Sequence, residues 1–238
     1  MIPKTIHYCW FGRGEKPKLA QKCIASWKKF CPDYEIIEWN EDNFDVHKNC
    51  YTEEAYNSKK YAFVTDFVRL YVLYNYGGIY MDTDVELLKP LDSFLRYEAF
   101  SGFESAQFVP TGLMAAKEGV PIIGELLDYY NDKHFVKQNG ELDLTTNCVS
   151  ITQIMCKHGL KLNGQFQTVN GFTLFPQEYF CPFINETGEL KKTEKTVAIH
   201  WFNKSWLPLS TRIRSRITRV FHRFFGVDCF RWLKKREY

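Results

Sequence analysis

Tyr76-Gly-Gly-Ile-Tyr-Met-Asp-Thr-Asp-Val85 is the stretch on which the fold turns. An apolar stripe of Phe63, Phe67, Leu70, Tyr71 and Tyr74 leads into it at three- and four-residue spacing, the pattern of a helix. Gly77-Gly78 supplies the left-handed residue that stops such a helix, and Ile79-Tyr-Met81 reads as a strand. Asp82 and Asp84 then stand at the carboxyl end of that strand, the end at which open α/β sheets bind ligands. Carboxylates at i and i+2 on an extended segment point to the same side. That geometry suits a divalent ion held by one or two carboxylates, with substrate phosphates completing its shell.

Upstream, Thr5–Phe11 reads as a strand ended by Gly12-Arg-Gly14. A helix opened by Pro17 follows, with Leu19, Cys23, Trp27 and Phe30 on one face, and Cys31-Pro-Asp33 breaks it before a strand over Tyr34–Trp39. Such a strand–helix–strand opening begins a parallel sheet. The segment from Thr52 to Tyr76 reads as helical, its second part strongly so. Downstream the pattern gives a strand near Tyr97–Phe103, helices over Ile122–Tyr130 and Thr145–Lys157, and a strand over Thr196–Trp201. The strand order stays open.

Composition narrows the class. The 238 residues are 45% apolar and 25% charged, enough for one large α/β domain or two small ones. Aromatics reach 17%, read first as core and second as a lining for rings. The 29 residues from Ser210 carry nine basic and two acidic side chains, leaving a body of net charge −4 under a tail of +7. A mildly acidic body does not read as a nucleic-acid-binding surface. No apolar run approaches the ~20 residues that span a bilayer, and the first residues lack a signal-peptide layout. Cytoplasmic residence is therefore expected, with the eight cysteines as free thiols rather than a CxxC metal site. The sequons at Asn185 and Asn203 read as chance matches.

Around the acidic pair, Asp66 and Arg69 share a helical face at i, i+3. They read either as a surface ion pair or, should the helix run into the Asp82 site, as a phosphate-neutralising cation beside an acceptor for sugar hydroxyls. Ala198-Ile-His200-Trp-Phe-Asn-Lys204-Ser205-Trp206 closes the last strand with polar groups. His200 offers a third ligand and tilts the choice of ion from Mg²⁺ toward Mn²⁺. Lys204, Ser205 and the Trp206 indole N–H offer donors to a diphosphate.

Ala62-Phe-Val-Thr-Asp-Phe-Val-Arg-Leu-Tyr71 followed by Tyr76–Val85 resembles the DxD-containing sugar transferases of glycosyltransferase family 32. The opening Ile2–Gly12 and the closing His200…Ser205-Trp206 match as well, so the resemblance runs from Ile2 to Trp206. It implies an α/β fold of the GT-A type, a Rossmann-like nucleotide-sugar-binding architecture with a mixed, mainly parallel central sheet. The implied reaction is retaining transfer of a hexose from a nucleoside-diphosphate sugar, UDP-linked by preference or GDP-mannose, to a glycan or lipid-linked glycan acceptor. The implied setting is capsular or other surface polysaccharide synthesis. By matching position, Trp10 stacks on the base, Asp66 and Arg69 grip the donor sugar, and Tyr80 and Thr83 lie near the nucleotide. Asp82, Asp84 and His200 hold metal and diphosphate, Lys204 adds to charge neutralisation, and Ser205 and Trp206 contact the β-phosphate. Asp66, Arg69, Asp82 and Asp84 form the expected catalytic set. Thr145-Thr-Asn147-Cys-Val stands where many relatives carry Thr-Gly-Pro on the acceptor side.

Two rivals share these residues. Ile-Tyr-Met-Asp-Thr-Asp-Val imitates the nucleophile motif of haloacid-type phosphatases, with Asp82 as nucleophile. Those enzymes place the motif near the chain start and need a later Asp pair, whereas here 81 residues precede Asp82 and no two Asp are adjacent. The other rival is a nucleotide-sugar-binding module without catalysis. The chain divides as a transferase domain over 1–209 and a basic amphipathic tail over 210–238. Within the tail, Ile213, Ile217, Val220, Phe221 and Phe224 line one side of a helix flanked by Arg212, Arg216, Arg219 and Arg223. That is the pattern of a helix lying on an anionic membrane, at the inner face of the plasma membrane, or of one packed on the body.

Overall fold

The computed structural model describes residues 1–109, 112–203, 207 and 209–229. In chain order its elements are β1 (Thr5–Cys9), α1 (Lys18–Phe30), β2 (Glu35–Trp39), α2 (Cys50–Asn57), α3 (Tyr61–Tyr76), β3 (Gly78–Met81), β4 (Val85–Leu87), β5 (Ala99–Gly102) and β6 (Leu113–Ala116). There follow α4 (Pro121–Asp128), α5 (Asn147–Lys157), β7 (Gln167–Val169), β8 (Phe172–Phe175), α6 (Gln177–Phe180), β9 (Phe183–Ile184), β10 (Glu189–Leu190), β11 (Ala198–His200) and α7 (Leu209–Phe225). Each expected element exists, mostly a residue or two shorter than its pattern.

Seven strands form one sheet in the order β2-β1-β3-β6-β5-β8-β7. β1 runs parallel to both neighbours, with Ile6 opposite Ile36 and Ile79, and β5 runs parallel to β8. β6 is antiparallel to β3 and β5, and β7 to β8. The sheet is therefore mixed, its parallel pairs matched in number by antiparallel ones. Because β6 reverses between them, β3 and β5 point the same way, and β1, β2, β3, β5 and β8 all end on one edge.

Both faces are covered, as parallel strands require. Along β3 the side chains alternate: Tyr80 enters the cluster built on α3, α4 and α5, while Ile79 and Met81 enter the one built on α1 and α6. Trp27 of α1 is fully buried edge-on to Tyr8, and its indole N–H donates to the Val85 carbonyl at 2.7 Å.

The single helical stretch expected over Thr52–Tyr76 is two helices. At their junction the Lys59 N–H donates to the Tyr56 carbonyl and the Lys60 N–H to the Ala55 carbonyl, with Lys59 at φ 56°. That is a Schellman stop with lysine in the position glycine usually takes, so no local signal announced it. At the other end of α3 glycine is required. Gly77 and Gly78 lie at φ 65° and 99°, and a Cβ on Gly78 would meet the Thr5 carbonyl oxygen at 2.7 Å. The chain thus turns from α3 directly into the middle of the sheet.

A second, two-stranded ladder completes the frame. β11 pairs antiparallel with β4, setting His200 opposite Val85, and the Trp201 N–H donates to the Asp84 carbonyl at 3.0 Å. A residue more than a hundred positions downstream is thereby fixed beside the acidic pair.

Candidate metal and donor-sugar site

Asp82-Thr-Asp84 is a turn and not the extended segment expected. Strand β3 ends at Met81, and the Val85 N–H closes back on the Asp82 carbonyl at 2.9 Å. The turn is pinned to the sheet by the Asp82 N–H, which donates to the Gly112 carbonyl at 2.8 Å. The carboxylates converge all the same. One ligand atom from each of Asp82, Asp84 and His200 lies within 4.8 Å of the others, the three-residue set expected from the sequence. Two carboxylates and one imidazole offer oxygen and nitrogen to a hard or borderline divalent ion, a donor set that fits Mn²⁺ and also admits Mg²⁺.

Asp66 and Arg69 are not a surface pair. Their side chains are 10% and 5% exposed, and α3 carries them under the turn. The Arg69 guanidinium lies 3.4 Å from Asp66 and 3.2 Å from Asp82 Oδ1, stacks 4.7 Å over the Tyr80 ring, and donates through Nε to the Thr65 carbonyl. Tyr80, 1% exposed, donates its hydroxyl to the same Asp82 oxygen at 3.0 Å. Expected near the nucleotide, Tyr80 is thus buried with its hydroxyl bonded to the first acid of the motif. Thr83 is half-buried between the two acids.

The charges are graded. Burial pushes Asp66 up to about 7, against the pull of Arg69. Burial also raises Asp82, with Arg69 opposing and the Asp84 charge adding to the rise. Asp84 goes the other way: burial is outweighed by His200, 3.4 Å away, and by the Asn203 N–H donating to Oδ2 at 2.7 Å. His200 is raised well above its ordinary value, because Asp84 outweighs the burial that would discharge it. Its ring packs 4.1 Å from Phe202, and its buried Nδ1 has no hydrogen-bond partner among the described residues.

Trp10 follows β1 on the same edge of the sheet. It is half-buried, with its indole N–H donating to the Gly14 carbonyl at 2.6 Å and Lys16 Nζ 5.6 Å from its ring. Lys204, Ser205 and Trp206 lie outside the described residues. Two contributors have no signal in their own surroundings. Asn147, at the start of α5, is 3% exposed and gives its backbone N–H to Asp66. Gly112 leaves room for His200: a Cβ there would stand 2.9 Å from the imidazole.

Residues 17–101 match the family model described as a glycosyltransferase sugar-binding region containing a DXD motif. That segment is a sugar-binding region of the DXD glycosyltransferase type, in line with the family 32 resemblance of the sequence. The chain is 29% identical over 134 residues to inositol phosphoceramide mannosyltransferase 3 of Schizosaccharomyces pombe, a match covering 51% of this chain and 35% of that protein. It is 28% identical over 153 residues to the uncharacterized glycosyltransferase L373 of Acanthamoeba polyphaga mimivirus, covering 62% and 61%. Thus the matched part spans about a third of the first curated relative and somewhat under two thirds of the second. Among solved structures, a glycosyltransferase involved in glycosylation of the major capsid of PBCV-1 superposes with a TM-score of 0.50 at 10% identity, covering 89% of this chain and 99% of that one. The fold is of the GT-A type.

Proposed function

We propose that the protein is a metal-dependent, retaining glycosyltransferase that moves a hexose from a nucleoside-diphosphate sugar to a glycan or lipid-linked glycan acceptor in surface polysaccharide synthesis. One observation carries this reading. Asp82 and Asp84, in the segment that matches a DXD sugar-binding region, converge with His200 of β11 to within 4.8 Å at the carboxyl end of β3, over the buried Arg69. The fungal relative is named for mannosyl transfer to an inositol phosphoceramide. That name sets a mannosyl donor beside the UDP-hexose expected from sequence and supports a lipid-borne acceptor.

In this reading Asp82, Asp84 and His200 hold the divalent ion, Mn²⁺ before Mg²⁺. When bound, the ion supplies positive charge to the departing diphosphate. The chain's own groups do the rest. Arg69 and Tyr80 fix Asp82 Oδ1 and so hold that side of the turn. The Asn203 N–H and His200 fix Asp84 in the same way. Asp66 accepts hydrogen bonds from donor-sugar hydroxyls, and Trp10 offers its ring to the base. No second carboxylate is assigned as nucleophile; attack from the leaving-group face, with the diphosphate taking the acceptor proton, is the proposed route to retention.

A panel of UDP- and GDP-sugars tests the proposal, read by Mn²⁺-dependent thermal shift and by hydrolysis to the nucleoside diphosphate. An active α-linked donor should give an α-glycoside by NMR. Release of phosphate from phosphomonoesters without donor turnover would favour the phosphatase reading, and donor binding without turnover the non-catalytic module.

A further inference from the structure

The last helix is attached to the body by the wrong face for core packing. Arg219 donates through Nε to the Asn185 carbonyl at 2.8 Å and through Nη2 to Asn185 Oδ1 at 2.7 Å, with its guanidinium 5.2 Å from the Phe183 ring. His222 Nδ1 meets the Glu186 carbonyl at 3.1 Å. Asn185 and Glu186 lie in the turn between β9 and β10, so the hairpin grips the polar side of α7. At 100° per residue, His222 stands opposite Ile213, Ile217, Val220 and Phe224, and Arg219 lies about 60° to one side of His222. That apolar side faces outward: Ile217 is 54% exposed, Phe224 74% and Phe225 72%.

We propose that this outward face binds the surface of an anionic lipid bilayer. Charge decides the occupant. From Leu209 to Phe225 there are five arginines and no acidic residue. Arg212, Arg223 and Arg216 lead from beside Arg219 round to one margin of the apolar stripe, Arg216 nearest it, and Arg214 stands at the other margin. A second copy of the helix laid on this stripe would bring arginine rows together with no carboxylate on either helix to meet them. The body itself is already engaged, through the opposite side. A negatively charged surface with an apolar interior satisfies both the stripe and its margins, as in helices that lie in the interfacial plane. No helix among the described residues is long and apolar enough to cross a membrane, so contact is with the surface. The grip also sets orientation. Phe183, under Arg219, packs 5.6 Å from Trp201, which directly follows His200. The lipid-facing helix and the metal-ligand strand therefore share one packed support.

Flotation of the full-length protein with vesicles tests this apart from the transfer reaction, since it reads binding alone while donor hydrolysis reads the site. The protein should float with vesicles containing phosphatidylglycerol at low salt and far less with phosphatidylcholine alone. The variant Ile217→Asp/Phe221→Asp/Phe224→Asp should lose flotation while its donor hydrolysis is unchanged. In the variant Arg212→Gln/Arg216→Gln/Arg223→Gln, partitioning onto phosphatidylglycerol should fall about a hundredfold. Wild-type protein that stays with the soluble fraction would overturn the proposal, as would variants that float equally well. So would a concentration-dependent dimer, seen by sedimentation without flotation, that the aspartate variant abolishes.

Discussion

Arg69 Nη2 lies 3.2 Å from Asp82 Oδ1, beneath the turn that carries both acids of the DXD motif. The two carboxylates are therefore unequal. Asp82 is partly neutralised from below by a buried cation and a tyrosine hydroxyl, whereas Asp84 is held by His200 and the Asn203 backbone N–H. The inequality leaves Asp84 the more firmly ionised of the two, because burial raises Asp82 while His200 and the Asn203 N–H hold Asp84 below its ordinary value.

Replacing Arg69 by Met leaves Asp66 and Asp82 buried without their cation. Breaking a buried ion pair from one side typically costs about 3–5 kcal/mol. Urea unfolding should show a loss of that order, and Arg69→Lys should restore only part of it, because an ammonium cannot reach Asp66, Asp82 and the Thr65 carbonyl together as the guanidinium does. Equal stability of Arg69→Met and wild type would remove Arg69 from the support of the turn.

Gly112→Ala isolates the His200 ligand. The glycine's backbone does not need positive φ, so the added methyl acts by contact alone, at 2.9 Å from the imidazole ring. Mn²⁺ affinity, measured by titration calorimetry, should fall about tenfold or more, roughly 1.4 kcal/mol, with the cooperative unfolding transition retained. Unchanged affinity would mean that His200 is not a ligand.

Trp10→Ala tests the base contact. Stacking on an aromatic ring contributes about 1–3 kcal/mol per base in single-strand binders. A loss of this size should appear in affinity for the free nucleoside diphosphate as well as the intact donor. Identical affinity for UDP and for GDP in variant and wild type would make Trp10 a residue that packs on the core and pins the Gly14 loop.

His7 gives a pH signature away from the site. Trp39 Nε1 can only donate and lies 3.1 Å from His7 Nδ1; the Gly77 carbonyl can only accept and lies 2.9 Å from Nε2. The imidazole is therefore neutral, with its proton on Nε2. Burial lowers its pKa from 6.5 to about 4. Below 6.5 the unfolded chain takes up a proton that the folded one refuses. This contribution is complete above about pH 6.5, is lost as pH falls toward 4, and is then flat; its ceiling is about 3 kcal/mol. Nitrogen NMR should show the Nε2–H tautomer persisting well below pH 6. A His7 midpoint near 6.5 would contradict the buried geometry.

Much of this was legible in the chain before its coordinates. Gly77-Gly78 marked the entry to β3, and Asp82, Asp84 and His200 were readable as one ligand set because the two acids follow β3 and the histidine closes β11. The break between α2 and α3 was hidden, since Lys59 takes a left-handed role that glycine normally advertises. β6 was hidden for another reason: Leu-Met-Ala-Ala is too short and too even to declare a period, yet it reverses the middle of the sheet. Gly112 and Asn147 acquire meaning only through partners brought by tertiary folding. The tail's amphipathic pattern was plain, but which side would face the body was decided by Arg219 and Asn185.

The central claim is that Asp84 holds the ion on which sugar transfer depends. It is tested most directly by the rate of nucleoside-diphosphate release from an active donor, with and without Mn²⁺, in wild type and Asp84→Ala. The wild-type rate should require the metal and stop with chelator, and the variant should keep less than about a tenth of it, a loss above ~1.4 kcal/mol, while still unfolding cooperatively. Metal-independent turnover, or an Asp84→Ala rate within tenfold of wild type, would contradict the account.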